Sequence, residues 1–434
     1  MFAKITPMKH FFLTAQELAA RDPATWPAAF RNASHLIYSS PATLSFNSPG
    51  AEGIGVKRAA LSLPNSVMLL FSPGCCGRNT WALGGNDSDY ARRTAYLLLD
   101  ETDIVTGRYL PKIVLACETL VLSLAKKPEV LVLCSTCVDA LLGTDMARLC
   151  ARVREQTGIP ALAATMYALT REGQVPPMVA VRKTIYSLLT KQKKHADTVT
   201  LLGFFTHLAD SCELYELLQK IGLRHIYELG RMPDMAAYQK MAQANFTLVL
   251  HPEARLAAQH FEENLGIPSI ELTRTFEVEK VHRQYMALGH ILEQPIDDSA
   301  YLADTQAHCE RVRPLLAKTH FALGETSNAE PFALALALLR LGAHVAEIFA
   351  SPDPSMRPLI RRIAEISPET NIASNTDPSM LAYRPNQKKV TFAIGRDACF
   401  YHPECPGIAF CDEAQPFGYQ GIKSLITAIE HAAA

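Results

Sequence analysis

The sequence predicts an α/β protein in which several parallel sheets are each flanked by helices. Two observations lead to this prediction. Short apolar runs that end in glycine-containing turns alternate with longer helical stretches along the chain. In addition, 434 residues are too many for a single hydrophobic core, and a typical domain of about 150 residues suggests roughly three domains.

In the first part of the chain, two predicted strands each lead into cysteines. The apolar run Ser66–Phe71 precedes the turn Ser72-Pro-Gly-Cys-Cys-Gly77. The run Glu129–Leu133 stops just before Cys134-Ser-Thr-Cys137, and a helix is predicted over Val138–Gly158. Open parallel sheets bind ligands at the carboxyl ends of their strands, so both cysteine groups stand where a ligand is expected.

The alternation of strands and helices continues to the C-terminus and predicts two further domains. A βαβ series starts near Thr198 and defines a middle domain at residues 195–275, after a first domain at 1–194. A mostly helical connection and a third α/β unit form the C-terminal domain at 276–434. The predicted strands of these two domains are Val199–Phe205, His225–Leu229, Phe246–Leu250, Ser269–Leu272, His320–Gly324, His344–Phe349 and Val390–Gly395.

Composition and charge limit the classes of function. Lys and Arg number 42 against 43 for Asp and Glu, so the formal net charge of -1 gives no general attraction to nucleic acid or anionic lipid. Charged residues interrupt the longest apolar stretches, Ile113–Ala125 and Phe332–Ala350, and the first residues do not form a secretory signal. We therefore expect a cytoplasmic protein with no membrane or nucleic-acid partner.

The eleven cysteines indicate metal or redox chemistry, because cytosolic thiols are kept reduced and an odd number cannot pair completely within one chain. Cys75, Cys76, Cys134 and Cys137 lie on two short loops whose thiolates can converge on one iron–sulfur cluster. Three alternatives stay open. The cysteines can be small buried apolar residues, a thioredoxin-like Cys-x-x-Cys, or half of a zinc site.

Three ordered blocks make the chain resemble the nitrogenase component 1 superfamily: Ser72-Pro-Gly-Cys75, Glu101–Gly107 and Cys137–Asp145. Two later stretches, Leu248–Pro268 and Pro416–Gly421, extend the resemblance over nearly the whole chain. The resemblance implies three Rossmann-like, flavodoxin-like domains and an iron–sulfur cluster, expected to be [4Fe-4S], at a subunit interface. By position, Cys75 or Cys76 and Cys137 inherit the ligand role, with Cys134 as a further candidate.

The chain also departs from that superfamily. Its relatives usually carry another cluster cysteine upstream, where this chain has Phe46-Asn-Ser-Pro-Gly-Ala-Glu52. The cysteine and the histidine that bind nitrogenase's molybdenum–iron cofactor are both missing from their places, which hold Leu250-His251-Pro252 and Ile408-Ala-Phe-Cys411. Dinitrogen reduction by this subunit is therefore not expected.

A second metal centre stays possible near the C-terminus. Cys399, Cys405 and Cys411 have five residues between successive cysteines, and thiolates with imidazole suit transition metals. Cys405, Cys411 and His251 are the candidates for this centre. In the alternative interpretation Cys399 ends a core strand, His402 is solvated and Cys411 packs beneath its loop.

The resemblance implies a subunit of the electron-accepting component of an ATP-dependent reductase. Its cluster would relay low-potential electrons from a separate iron protein to a substrate. ATP is expected on the iron protein, since this chain has no phosphate-binding loop motif. The expected assembly is a homodimer or a heterotetramer with a paralogous subunit. Two other functions stay open: a scaffold on which metal clusters are assembled and handed on, and a cluster-poor structural partner of a paralogue.

Overall fold

The computed structural model describes residues 10–27, 30, 55–74, 89–166, 175–375, 377–385 and 389–433, with only the backbone described at Cys137 and Ala140. Within these residues the chain forms three β-sheets that are flanked by helices. No helix of the described ranges is long and apolar enough to span a membrane. The predicted α/β fold with several parallel sheets is confirmed.

The strands are β1 (Leu13–Thr14), β2 (Ser66–Ser72), β3 (Thr94–Leu98), β4 (Val130–Ser135), β5 (Ala161–Thr165), β6 (Thr198–Leu202), β7 (His225–Glu228), β8 (Phe246–Val249), β9 (Ser269–Glu271), β10 (His320–Gly324), β11 (His344–Phe349), β12 (Asn371–Ala373), β13 (Phe392–Ile394) and β14 (Gly407–Ile408). The helices are α1 (Ala15–Ala20), α2 (Val56–Ala60), α3 (Asp89–Arg92), α4 (Glu101–Val105), α5 (Tyr109–Ser123), α6 (Cys137–Leu142), α7 (Met146–Thr157), α8 (Pro177–Thr184), α9 (Glu213–Lys220), α10 (Met235–Lys240), α11 (Arg255–His260), α12 (Val278–Ile291), α13 (Ser299–Leu316), α14 (Pro331–Arg340), α15 (Arg357–Ile366), α16 (Arg396–Tyr401) and α17 (Gly418–Ala433).

Two sheets have four parallel strands each, in the orders β3-β2-β4-β5 and β7-β6-β8-β9. The third sheet has the order β1-β12-β11-β10-β13-β14 and is parallel except for β1. Strand β1 pairs antiparallel with β12, with Leu13 opposite Ile372. The N-terminal segment therefore completes the edge of the C-terminal sheet, which the sequence did not indicate. The domain boundaries at 194/195 and 275/276 stay a prediction.

Two elements differ from the prediction. The single helix expected over 138–158 is broken into α6 and α7, because Gly143 adopts a left-handed conformation with φ 67° and ends α6. Asp145 then caps α7 by accepting the Arg148 N–H at 3.0 Å. No strand is predicted after Gly395, yet the segment 396–416 contains the helix α16 and the edge strand β14.

The second sheet is covered on both faces. Leu202 and Val249 point into a core that they share with the first sheet. Val199 and Leu201, which alternate with Leu202 along β6, point into a core shared with the third sheet. Because each core spans two sheets, residues at the carboxyl ends of different sheets are held in defined positions relative to one another.

Candidate functional site

The two cysteine motifs of the N-terminal part follow neighbouring strands. β2 and β4 pair in parallel with Leu70 opposite Cys134, and both strands end at the same edge of the sheet. Cys137 is the first residue of α6, two residues after β4 ends, but its side chain lies outside what the structure describes. Cys75 and Cys76 follow β2 by three and four residues and also lie outside the described residues. The ligand roles of Cys75, Cys76 and Cys137 stay a prediction. The parallel pairing of β2 with β4 favours this prediction, because both strands end at the same edge of the sheet.

Cys134 differs from the other three cysteines because it lies within a strand. Its side chain is fully buried in the core between the first and second sheets. Burial raises the pKa of the Cys134 thiol to about 12, so the group is protonated at neutral pH unless a metal displaces the proton. The position fits the interpretation as a small buried residue as well as the predicted ligand role.

Asp139 is a buried acid at the same edge, although charged residues near loops are usually solvated. One carboxylate oxygen, Oδ2, accepts the Thr136 N–H at 3.1 Å. The other, Oδ1, has no hydrogen-bond partner among the described residues. Burial raises the pKa of Asp139 to about 6. The sequence carries one signal for this position, since Thr136 and Asp139 have the spacing of a helix-capping pair.

His251 is the second residue after β8 and is half-buried. Its Nδ1 accepts the Glu253 N–H at 3.3 Å, and its ring meets the Phe204 ring edge-on with centroids 6.0 Å apart. Glycine at position 203 permits the close approach of His251, because a Cβ there would lie only 2.8 Å from the backbone nitrogen of His251. Burial, and then the nearby positive charges of Arg182 and Arg274, hold the pKa of His251 well below its ordinary value. The imidazole is therefore neutral at neutral pH.

Two arginines approach His251 from different parts of the chain. The Arg182 side chain is 3% exposed, donates from Nε to the Gly203 carbonyl at 2.9 Å and pairs with Glu253 at 2.6 Å. Arg274 stacks over Phe204 at 4.6 Å. We call His251, Arg182 and Arg274 the cationic site. Buried or stacked guanidinium groups of this kind suit recognition of an anion.

The segment Phe410–Gln415, here called the junction segment, connects the three sheets. Gln415 is fully buried and accepts a hydrogen bond from Arg274 at 2.9 Å. At its other end, the Phe410 carbonyl accepts the Asn328 N–H at 2.7 Å from the loop after β10. Glu413 pairs with Arg58, which follows the first residue of α2 by two positions. Through the bond between Arg274 and Gln415, the junction segment connects the cationic site to all three sheets.

The structure does not gather the C-terminal cysteines into a cluster. Cys405 donates to the Val390 carbonyl at 3.3 Å, whereas Cys411 donates to the Thr326 carbonyl at 3.0 Å. Cys399 lies in α16 and does not end a strand, which corrects that part of the alternative interpretation. Among the described residues, no three His, Cys, Asp or Glu side chains are placed to hold a metal ion. A metal role for His251, Cys405 or Cys411 stays a prediction.

His402 is buried, contrary to the expectation that it is solvated. Its Nε2 lies 2.9 Å from the Glu347 carboxylate and 2.9 Å from the Tyr383 hydroxyl, which itself donates to Glu347 at 2.7 Å. Although burial opposes it, the hydrogen bonds from His402 and Tyr383 hold the pKa of Glu347 below its ordinary value. Sequence reasoning missed this group because its three members are distant along the chain.

Comparisons with known proteins agree with the fold and the motifs. A family profile described as nitrogenase component 1 type oxidoreductase matches residues 52–433. The nitrogenase iron-molybdenum cofactor biosynthesis protein NifE of Sinorhizobium fredii is 24% identical over 327 residues, which cover 71% of this chain and 65% of the relative. NifE of Rhodobacter capsulatus is 23% identical over 227 residues, which cover 50% of this chain and 46% of the relative. The chain thus spans 46% to 65% of the length of these relatives.

Solved structures lead to the same family. A chain of nitrogenase Cp1 at pH 6.5 superposes with a TM-score of 0.66 at 16% identity and covers 96% of both chains. Nitrogenase Cp1 at pH 5 gives a TM-score of 0.63 at 15% identity, over 97% of this chain and 94% of that one. At such low identity these likenesses show the fold alone. Because the family profile extends over most of the chain, the chain belongs to the nitrogenase component 1 type oxidoreductase family.

Proposed function

We propose that the chain is one subunit of a metal-cluster assembly scaffold of the nitrogenase component 1 type. The observation that carries the proposal is the cationic site, which stands where the resemblance implies a cysteine ligand of nitrogenase's cofactor. Arg182 and Arg274 can attract an anionic metal–sulfur cluster without a covalent bond to it. Such a site suits a cluster that must be released again. The NifE relatives, whose names describe cofactor biosynthesis, support the same function.

A resident iron–sulfur cluster at the edge of the first sheet is the second part of the proposal. Cys75 or Cys76 would hold it together with Cys137, because thiolates are the usual ligands of such clusters. The buried Asp139 Oδ1, which has no partner in the described part of the chain, fits an edge that is completed by a bound group. When bound, such a cluster supplies one-electron transfer.

A reductase subunit is the second candidate function. The two cysteine motifs after β2 and β4 favour it, since a resident cluster is what a relay from an iron protein to a substrate needs. The two functions differ in what happens to the metal. A scaffold gives up its cluster to an acceptor, whereas a reductase keeps its cluster through many turnovers.

The test is a transfer experiment on protein purified anaerobically with its co-expressed neighbouring genes. Iron and sulfide are measured before and after incubation with an apo-acceptor, followed by separation of the two proteins. We expect the portion of the metal held at the cationic site to move to the acceptor. Retention of all metal, together with substrate-dependent oxidation of a reduced iron protein, would instead establish the reductase. Stable wild-type protein without iron contradicts both.

An exposed apolar face of helix α5 supports a second subunit. Helix α5 is apolar around most of its circumference, and Leu115 and Leu122 on one of its faces are 61% and 80% exposed. Exposed apolar side chains on one face of a helix suit a protein interface. We assign this surface to a paralogous component 1 type subunit.

The double variant Leu115→Asp/Leu122→Asp tests the assignment. Two aspartates in an apolar interface would be buried without partners. We therefore expect the dissociation constant of the complex to rise at least about tenfold. Analytical ultracentrifugation of the co-purified complex measures this change. Ile366→Asp, at a 49% exposed position on α15, is the control and should leave the assembly intact. An unchanged assembly in the double variant would place the partner elsewhere.

A further inference from the structure

Two histidines stand side by side at the amino-terminal ends of β10 and β11. His320 and His344 are the first residues of these strands and are directly opposite each other in the parallel register. Their rings are stacked, with centroids 4.6 Å apart and planes 14° apart. The next residues along the strands, Phe321 and Val345, are buried in the core and hold both backbones in place. The two imidazoles are therefore held together by the fold itself.

The ring nitrogens of this pair are available to a ligand. His344 is exposed and His320 is partly exposed. In the part of the chain that the structure describes, neither ring makes a side-chain hydrogen bond or an ion pair. This distinguishes them from His251 and His402, whose ring nitrogens contact protein groups. Neutral imidazole nitrogen is a preferred ligand of zinc, nickel and copper ions.

We propose that His320 and His344 form a surface binding site for a divalent transition-metal ion of the zinc, nickel or copper class. Metal–nitrogen bonds of about 2.0–2.1 Å require the two nitrogens to lie roughly 3.3 Å apart in a tetrahedral site. Adjacent strands are about 4.8 Å apart, so rotation of the two imidazoles out of the stack can turn one nitrogen of each ring toward the same ion. Water completes the coordination, since two protein ligands leave positions open.

The chemistry of the pair predicts how the site depends on pH. Only the neutral imidazole binds metal, and two protonated rings in a stack would repel each other. Because protons compete with the metal ion for imidazole nitrogen, binding is expected to be weaker at acidic pH than at neutral pH. The site lies at the amino-terminal edge of the third sheet, opposite the edge where β10 leads into the loop that contacts the junction segment. It is separate from both parts of the proposed function.

The experiment is equilibrium dialysis of the full-length, thiol-reduced protein against Ni²⁺ at pH 7.5 and at pH 5.5. The variants are His320→Asn, His344→Asn and the double replacement. His225→Asn is the matched control, because His225 is exposed on strand β7 and stacks on Tyr227, with centroids 6.3 Å apart, and not on a second histidine. Nickel bound by cysteines should be equal in all variants. The amount bound by the double variant is therefore subtracted from each of the other measurements as background.

We expect wild type and His225→Asn to bind one more Ni²⁺ per chain at pH 7.5 than the double variant. Each single variant should bind this ion at least about tenfold more weakly, since loss of even a supporting group at a metal site costs that much. The difference should be smaller at pH 5.5, because protons compete with the metal ion for imidazole nitrogen. Equal binding by wild type and the double variant, or equal loss in His225→Asn, would overturn the proposal and leave the stack as a packing contact only.

Discussion

Cys137→Ala is expected to remove the resident cluster, leaving less than about one tenth of the wild-type iron after anaerobic purification. The reason is positional. Cys137 begins α6 two residues after β4 ends, and β4 is the parallel neighbour of β2, whose end leads to Cys75 and Cys76. Ligands on two adjacent loops act together, so losing one thiolate removes most of the affinity. Iron and sulfide analysis with EPR of the reduced protein measures the loss.

Cys150→Ala is the control for this experiment. Cys150 lies on α7 and packs against a core on one face of the first sheet, whereas Cys134 lies in the core on the opposite face. Its replacement tests whether any cysteine change in this region disturbs the fold, and we expect it to leave the iron content unchanged. Circular dichroism of both variants separates loss of metal from loss of structure. A folded Cys137→Ala protein with wild-type iron and EPR signal would show that Cys137 is not a ligand.

Glu213→Ala is expected to cause a large loss of stability. Glu213 is 2% exposed, and its Oε1 accepts from the Tyr285 hydroxyl at 2.7 Å and from the Tyr419 N–H at 2.7 Å. Its Oε2 accepts the Gln420 N–H at 3.0 Å, so the carboxylate satisfies the first turn of α17. Alanine leaves two buried donors and one partly buried donor without an acceptor, which costs about 3–5 kcal/mol.

The measurement is urea unfolding followed by circular dichroism, with protease sensitivity of the C-terminal helix as a second readout. Glu216→Ala is the matched control, since Glu216 lies one turn further along α9 and its side chain is 54% exposed. The exposed contacts of Glu216 to Lys220 and to the Tyr301 hydroxyl are screened by water and contribute little to stability. If both variants lost the same free energy of unfolding, the capping role of Glu213 would be wrong.

Gly418 leaves room for the Glu213 carboxylate beside the start of α17. The residue has φ 60°, a conformation that glycine adopts without steric cost, and it immediately precedes Tyr419 at the start of α17. A Cβ at this position would overlap the Glu213 carboxylate and lie 2.5 Å from the Tyr285 hydroxyl. The sequence alone identified the Pro416–Gly421 stretch as a family motif. Its physical role, making room for Glu213, became visible only in the folded protein.

Local patterns of the sequence determined the fold class, most central strands and the family. Apolar runs such as 66–71 and 320–324 became buried strands at the expected places, because burial on both faces of a parallel sheet requires uninterrupted apolar residues. Several short strands escaped prediction. β12 has three residues and β14 has two, too few for a periodic pattern, and their pairing depends on longer neighbours.

Tertiary structure alone decided the burial and the convergence of polar side chains. Arg182 and Arg274 are 92 positions apart in the sequence, yet both place their charge beside His251. Glu347, Tyr383 and His402 form one hydrogen-bonded group, and His320 meets His344 only because β10 pairs with β11. Local composition cannot reveal such contacts, because the free energy of a charged or polar side chain depends on which distant groups replace the water around it.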